Sequence, residues 1–488
     1  MRKWAPLLVL SLALAIIIID TTLLNVSLST LVRELHTTLQ ALQWVISAYS
    51  LTLAALTVTG GRIGDLFGRK RMFRLGAIVF AAGSFLASIS RNMPTLLIGE
   101  SIIEGFGAAL MMPATASLLV SKYRGHDRSV AFGIWGAVAA AASAVGPILG
   151  GFLTTHYSWR WGFRINVVVA AILVAGSVII DETQPTHAKK IDYVGVLLSS
   201  IGLFAIVFGI IESPTAGWVS ALVLGSIAAG IVVLIGFVLW EARIERSGGT
   251  PIVSTKLFAN TAFVAGASVT GLLMLGQNGV IFSLPVFLQS VLMLDAFHTG
   301  LSLIPMSIAL LIVSPAAGFA AKRIPHKRIV QSGLVVAFAA LIVLHFTLRE
   351  NMRPAMLIPG LALYGVGMGL VLSQVNNLTL SAVPVRDAGE ASGVTNTFRQ
   401  IGSSLGAAII GAILLQLIIA GLGGHQDPHQ AMSLAFGAPL SDPHLIEVRR
   451  AATTRGIRAA MLYGAACAIL GLIVTHWLPM RAHVRTED

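Results

Sequence analysis

Gly61 to Arg71 reads GRIGDLFGRKR, a short charged stretch between two apolar runs that are each long enough to cross a bilayer. Arg62, Arg69, Lys70, Arg71 and the nearby Arg74 face a single acid, Asp65. Such an excess of Lys and Arg in a short connection marks a cytoplasmic loop. A degenerate copy, GFAAKRIPHKR, occupies Gly318 to Arg328. There Gly318 stands for Gly61, Lys322 replaces Asp65, Pro325 replaces Gly68, and a basic pair again closes the segment. The two parts of the chain therefore read as relatives.

The 488 residues are 56% hydrophobic and 11% charged, with mean hydropathy +0.84. This is far more apolar than a globular domain, and the long continuous runs predict helices rather than barrel strands. At about 20 residues per crossing, the runs predict an all-α polytopic membrane protein of about fourteen spans. The net charge of +12 does not point to nucleic acid. The loops on the Gly61 side carry more than twice as many Lys and Arg as the others, which orients both termini toward the cytoplasm. Arg2 and Lys3 precede an apolar run, but no small-residue cleavage site follows and Asp20 and Asn25 interrupt it, so it reads as a retained first span. A multi-pass protein of the cytoplasmic (inner) membrane is expected.

Cys467 is the single cysteine, which leaves no intrachain disulfide and no cysteine-based metal site. The stretch from Gly421 to Arg455 reads as the longest loop, and its His425, Asp427, His429 and His444 show no ligand spacing, so no metal is expected there. No GxxxxGK[ST] segment is present, and neither a nucleotide nor another cofactor is implied.

Asp181 to Lys190, DETQPTHAKK, reads as a boundary, and Glu241 to Pro251 as a second. The charged segment follows the second span and its echo follows the tenth, an offset that fits two six-helix halves, 1–180 and 259–488, with two inserted helices in 181–258. Repeated halves in a membrane protein suggest a transporter with its site between them, near the midplane.

Ionisable groups inside a membrane cost about 2.5 to 3.5 kcal/mol at the helix centre, so those retained are functional candidates. Three carboxylates lie well inside spans: Asp20, Glu100 and Glu104. At 1.5 Å per residue, Asp20 lies about 21 Å along an outward first span, and Glu100 and Glu104 about 7 and 13 Å along an inward fourth span. All three fall at similar depth. Withdrawn from water, such acids can carry protons near neutral pH; the alternative is that each is held by a hydrogen bond or by a cation such as Arg164.

Trp135 to Gly151 is nearly free of large side chains from Gly136 to Gly146, a surface that lets another helix approach closely, and Gly146 and Pro147 predict a kink. Whether that helix gates or only packs stays open. The second half offers amides and one cation within its spans, among them Asn278, Gln374, Asn377 and Arg399. These either line a cavity or hold helices together.

Several of these stretches together resemble the major facilitator superfamily, specifically the fourteen-helix drug:proton antiporters of the EmrB/QacA type. GRIGDLFGRKR resembles its loop motif, IIDTTLLNVSL (Ile18 to Leu28) its first-span motif, AVGPILGG (Ala144 to Gly151) its antiporter motif, SWRWGFRINV (Ser158 to Val167) its sixth-span entry, and DAGEASGVTNTFRQIG (Asp387 to Gly402) its thirteenth-span entry. The resemblance implies a cytoplasmic latch formed by Gly61, Asp65, Gly68, Arg69 and Lys70. It also implies a proton or cation site at Asp20, and an exchange-favouring helix marked by Gly146, Pro147, Gly150 and Gly151. One departure stands out: the family's fourth-span arginine and glutamine are here Ser101 and Glu104, with Glu100 added, while Arg164 replaces an apolar residue. Coupling rewired through Glu104 and Arg164, or a changed substrate, would follow.

The expected function is secondary active efflux of amphiphilic, cationic compounds in exchange for protons, with Arg164 and Arg399 as candidate ion-pair partners. The alternative is a dedicated exporter of one metabolite or lipid, its acids orienting substrate. A membrane enzyme is disfavoured, because no nucleophile with its base and no metal cluster stands out.

Overall fold

The computed structural model describes residues 3–123, 125–182, 192–249, 251, 255–321, 323–383, 388–421 and 443–480. Among them there is no strand, and 13 helices are long and apolar enough to cross a membrane. The first group comprises α1 (Ala5–Val26), the short α2 (Leu28–Glu34), α3 (Leu39–Phe67), α4 (Arg69–Ser88), α5 (Met93–Leu96) continued by a π-helix (Leu97–Glu104) and α6 (Gly105–Lys122), then α7 (Gly125–His156) and α8 (Arg160–Gly176). Next come α9 (Tyr193–Ala216), α10 (Ala221–Arg246) and α11 (Thr255–Phe258). The second group is α12 (Thr261–Ser290), α13 (Ala296–Ala320), α14 (His326–Thr347), α15 (Ile358–Ser381), α16 (Ala388–Gly421) and α17 (Pro443–Val474).

Local chemistry sets where these helices begin. Thr38, Asn92, Ser220, Asn260 and Asp295 each accept a backbone N–H at the first turn that follows them, a cap worth about 1 kcal/mol. Leu7, Ile17, Phe73, Phe80 and Leu118 centre the first group's core, and Phe282, Leu341, Tyr364, Val371 and Met461 lie in the larger second core. The groups meet where α7 runs along α13 and α3 along α16.

α9 docks on α3 and α16 through Val207, Ile211, Ala408 and Ala412. The Trp44 indole donates to Glu212 at 3.2 Å, and the Gln40 amide to the Ile211 carbonyl at 2.8 Å. α10 packs mainly on α9, and only 11% of its apolar stretch is buried. Its exposed Leu224, Ile231, Val232, Ile235 and Leu239 form the surface a lipid environment would cover.

Two expectations need correction. Gly61 to Arg71 is not a loop: helix continues to Phe67 and resumes at Arg69, with Gly68 alone breaking it at φ 101°. Gly421 to Arg455 is not loop throughout, since α17 already begins at Pro443. Its arginines disguised a helix, and Arg450 is satisfied by donating to the carbonyls of Val291 at 2.9 Å and Glu350 at 3.4 Å. His425, Asp427 and His429 lie outside the described residues.

Candidate functional site

Asp20 on α1 and Glu100 and Glu104 on the π-helix are 3%, 1% and 0% exposed. One oxygen from each lies within 4.8 Å of the others. Close helix packing makes this convergence possible: a Cβ on Gly83 of α4 would fall on the backbone nitrogen of Glu104, and one on Gly99 would fall on Ala87. Glu100 is as fully enclosed as the other two. A π-helix is rare and frequent at functional sites, and this one ends at Glu104.

Asn166 on α8 ties the cluster together. Its Nδ2 donates its two hydrogens to Asp20 Oδ1 at 2.6 Å and Glu104 Oε1 at 3.0 Å, and Ser84 Oγ lies 3.2 Å from the same nitrogen. The sequence reading overlooked this residue in favour of Arg164, two positions earlier and so on the opposite side of the helix. Arg164 is exposed, with its guanidinium 5.0 Å from the Trp161 ring, and makes no ion pair with the acids. The available signal was a lone amide inside the apolar run Ile165 to Ala171. Asp20 Oδ2, Glu100 Oε2, Glu104 Oε2 and the Tyr49 hydroxyl are buried without a hydrogen-bond partner.

At 4.8 Å and an effective dielectric of 20, two ionised carboxylates repel by about 3.5 kcal/mol. The cluster therefore demands positive charge, as protons or as a cation. Three oxygens at this spacing also fit round a small hard cation, a grouping that sequence spacing hid because its ligands come from two helices.

At the end that carries Arg69 to Arg71, Glu182 accepts the Lys70 N–H at 3.0 Å, Asp181 pairs with Lys122 at 2.5 Å, and Arg69 donates to the Ser117 carbonyl at 3.4 Å. Gly61 packs against Pro113. The side chain of Asp65 and the whole of Lys322 lie outside the described residues. The expected boundary segment thus begins by folding its two acids back onto the first group.

A set of hydrogen bonds joins the two groups toward the opposite end. Gln289 bridges to Ser29 and donates to the Val26 carbonyl at 2.6 Å. Gln43 donates to the Ala408 carbonyl at 2.6 Å, Ser404 to the Ser47 carbonyl at 3.0 Å, and Ser50 meets Ser403 at 3.3 Å. The small residues of α7 pack on both sides, Gly146 and Gly150 within the first group and Gly151 and Pro147 across the seam. Gly146 and Gly150 accommodate Thr22 and Leu23 of α1, Gly151 abuts the Ala296 carbonyl, and Pro147 abuts Gly300.

The candidate cavity amides are not assembled. Gln374 is buried with its amide on Ser373 at 3.3 Å, Asn377 is exposed, and Asn278 donates to its own helix at Met274. A cavity of about 570 Å³ lies elsewhere, between α3, α4, the π-helix and α9, lined by Leu51, Leu56, Ile103, Phe106, Ile201 and Phe204 among others. Arg399 is half-buried on α16 and has no ion-pair partner among the described residues, so its expected pairing with an acid is not found.

Comparison with known proteins places these features in a family. The model of the Major Facilitator Superfamily matches residues 10–407. The chain is 31% identical to the multidrug efflux pump LfrA of Mycolicibacterium smegmatis, over 96% of both chains. It is also 31% identical to a probable actinorhodin transporter of Streptomyces coelicolor, over 86% of this chain and 73% of that relative. It is 28% identical to the multidrug resistance protein Stp of Mycobacterium tuberculosis, over 98% and 92%. Its fold superimposes on a bacterial homologue of the human lysosomal transporter Spinster, in an inward-facing and unoccupied conformation, with TM-score 0.65, 15% identity and 98% and 97% coverage. With a family model spanning most of its length and an all-helical fold of membrane-crossing length, the chain is a multi-pass membrane transporter and belongs to the Major Facilitator Superfamily.

Proposed function

We propose that this protein is a proton-coupled exporter of amphiphilic compounds, of the fourteen-span drug:proton antiporter (EmrB/QacA) branch. The observation that carries the reading is the buried cluster of Asp20, Glu100 and Glu104 joined by the Asn166 amide. Uncompensated acids of this kind can exchange protons for substrate charge. The names of the relatives, which include multidrug efflux and resistance proteins, support the export direction.

α7 is the fourteenth span in this reading: it has 32 residues and packs along α1 and α13. Residues 1–180 and 259–488 then form the two halves, with 181–258 the insert. The basic end is cytoplasmic, as are both termini. The bonds that join the halves at the far end favour a state open to the cytoplasm. Gly61, Asp65, Gly68, Arg69 and Lys70 serve as the latch of the opposite state, and Gly146, Pro147, Gly150 and Gly151 let the far end close tightly. Asn278, Gln374 and Asn377 are held as cavity residues only for a rearranged state. No nucleotide takes part.

The test uses proteoliposomes with an imposed pH gradient, following a lipophilic xanthene dye, cationic or anionic, together with internal pH. Opposed dye and proton fluxes that Asp20→Asn and Glu104→Gln abolish are expected. Dye movement without proton flux would instead support the dedicated exporter, a reading favoured by the relative named as an actinorhodin transporter.

A further inference from the structure

We propose that Arg399 is an anion-recognition site, at which the guanidinium docks a carboxylate, sulfonate or phosphate group of the amphiphile. The proposal deepens the export reading and rests on it.

The register of α16 places the side chain. One turn on, Gly402 packs against Gly271 of α12 so closely that a Cβ would fall on the Gly271 carbonyl, and Ser403 meets Ser50 of α3. Gly406 and Ala407 repeat the pattern against Leu275 of α12 and Gln43 of α3. At 100° per residue, position 399 falls between the directions of residues 402 and 403. Arg399 therefore projects into the seam between α3 and α12. It lies about 6 Å from Ser403 along the helix axis, toward the basic end. The described bonds that join the two groups stop at Ser50 and Ser403. Beyond them, toward the basic end, the arginine is the charged residue of α16 nearest the closure.

Among the described residues its surroundings supply no counter-ion. Within the described long helices of the second group, the carboxylate positions with described side chains reduce to Glu447, near the start of α17 at the far end. Arg399 is half-buried deep in the bundle, with neither an ion pair nor a hydrogen bond from its guanidinium among the described residues. Arg450 and Arg458, by contrast, donate to the Val291 carbonyl at 2.9 Å and to His345 Nε2 at 3.4 Å, although the Arg458 Nε stays unpartnered. A planar guanidinium that presents unused donors to a low-dielectric seam is suited to bidentate recognition of a carboxylate or phosphate. The acids of the first group and this cation of the second would then read opposite charges on one amphiphile.

The experiment compares wild type, Arg399→Gln and Arg399→Lys in detergent, with correct folding checked by size exclusion and thermal unfolding. Equilibrium binding of fluorescein, an anionic xanthene, is measured beside that of cationic rhodamine 6G, and phosphatidylglycerol retention is read by native mass spectrometry. Expected is an affinity loss of at least tenfold for fluorescein in Arg399→Gln, partly restored in Arg399→Lys, with rhodamine 6G changed less than twofold. Loss of phosphatidylglycerol alone would keep the anion site and assign it to lipid phosphate. Unchanged fluorescein and phosphatidylglycerol binding in folded Arg399→Gln would overturn the proposal. Because binding is read without a gradient, failure of proton coupling would show separately, in the liposome assay.

Discussion

The Asn166 amide nitrogen lies 2.6 Å from Asp20 Oδ1 and 3.0 Å from Glu104 Oε1, so one side chain of α8 holds together acids from α1 and from the π-helix. Any rotation of these helices against one another must break or remake those two bonds. The cluster can thus couple its charge state to helix position, which is what exchange of protons for substrate requires.

Replacing Asn166 by Leu would leave two buried acceptors without a donor, at about 1 to 3 kcal/mol each. Asn166→Leu should lower dye export driven by a pH gradient at least tenfold and reduce thermal stability. Asn166→Asp, similar in size but a fourth acid, should also fail to export. Wild-type rates in both variants would show that the amide only fills space.

Ser50 Oγ and Ser403 Oγ are 3.3 Å apart across the seam between α3 and α16. A cysteine pair there, in a Cys467→Ala background, should oxidise readily and lock the far end shut. Transport should fall to background on oxidation and return with dithiothreitol. Full transport by the oxidised, cross-linked protein would mean that this seam never opens.

Gly68 adopts φ 101°, and a Cβ there would lie 2.9 Å from a Glu182 carboxylate oxygen. Gly217 has a similar φ of 88° with nothing within 4 Å. Both combine positive φ with extended ψ, 129° and 137°, a backbone that costs an L-residue about 1 to 3 kcal/mol by itself. Gly68→Ala should therefore destabilise the protein more than Gly217→Ala in thermal unfolding, and the excess should shrink in a Glu182→Ala background. Equal losses would remove Glu182 from the account.

Lys122 sits 2.5 Å from Asp181 outside the membrane helices, and its hydrogen bond and charge hold the Asp181 carboxyl below its usual 3.8. A carboxyl with a lowered folded pKa contributes stability that is fully present above the ordinary value and is lost as pH falls through the lowered one. Asp181 is mostly exposed, so the pair is worth no more than about 1 kcal/mol. A double-mutant cycle with Lys122→Met and Asp181→Asn should give a coupling of that size at pH 7 that vanishes near pH 2 and weakens in high salt. Coupling retained at pH 2 would exclude an ionic origin.

Long apolar runs determined, from sequence alone, that the chain is a helical multi-pass membrane protein, and the echo of the charged segment suggested a repeat. Both signals are local and need no partner to be read. Asp20, Glu100 and Glu104 were legible for the same reason, since an acid in an apolar run is costly wherever the helix packs. What they face was not legible. Helix packing decided that Asn166, rather than Arg164, meets them, because α8 turns the two residues to opposite sides. Tertiary structure alone also left Arg399 without an acid among the described residues, put Gln374 and Asn377 in different surroundings, and joined the groups toward one end through Gln43, Ser50 and Gln289. Those are relations between helices distant in sequence, fixed by the glycine and alanine surfaces on which backbones approach, and the apolar period of a single helix carries no record of its neighbour.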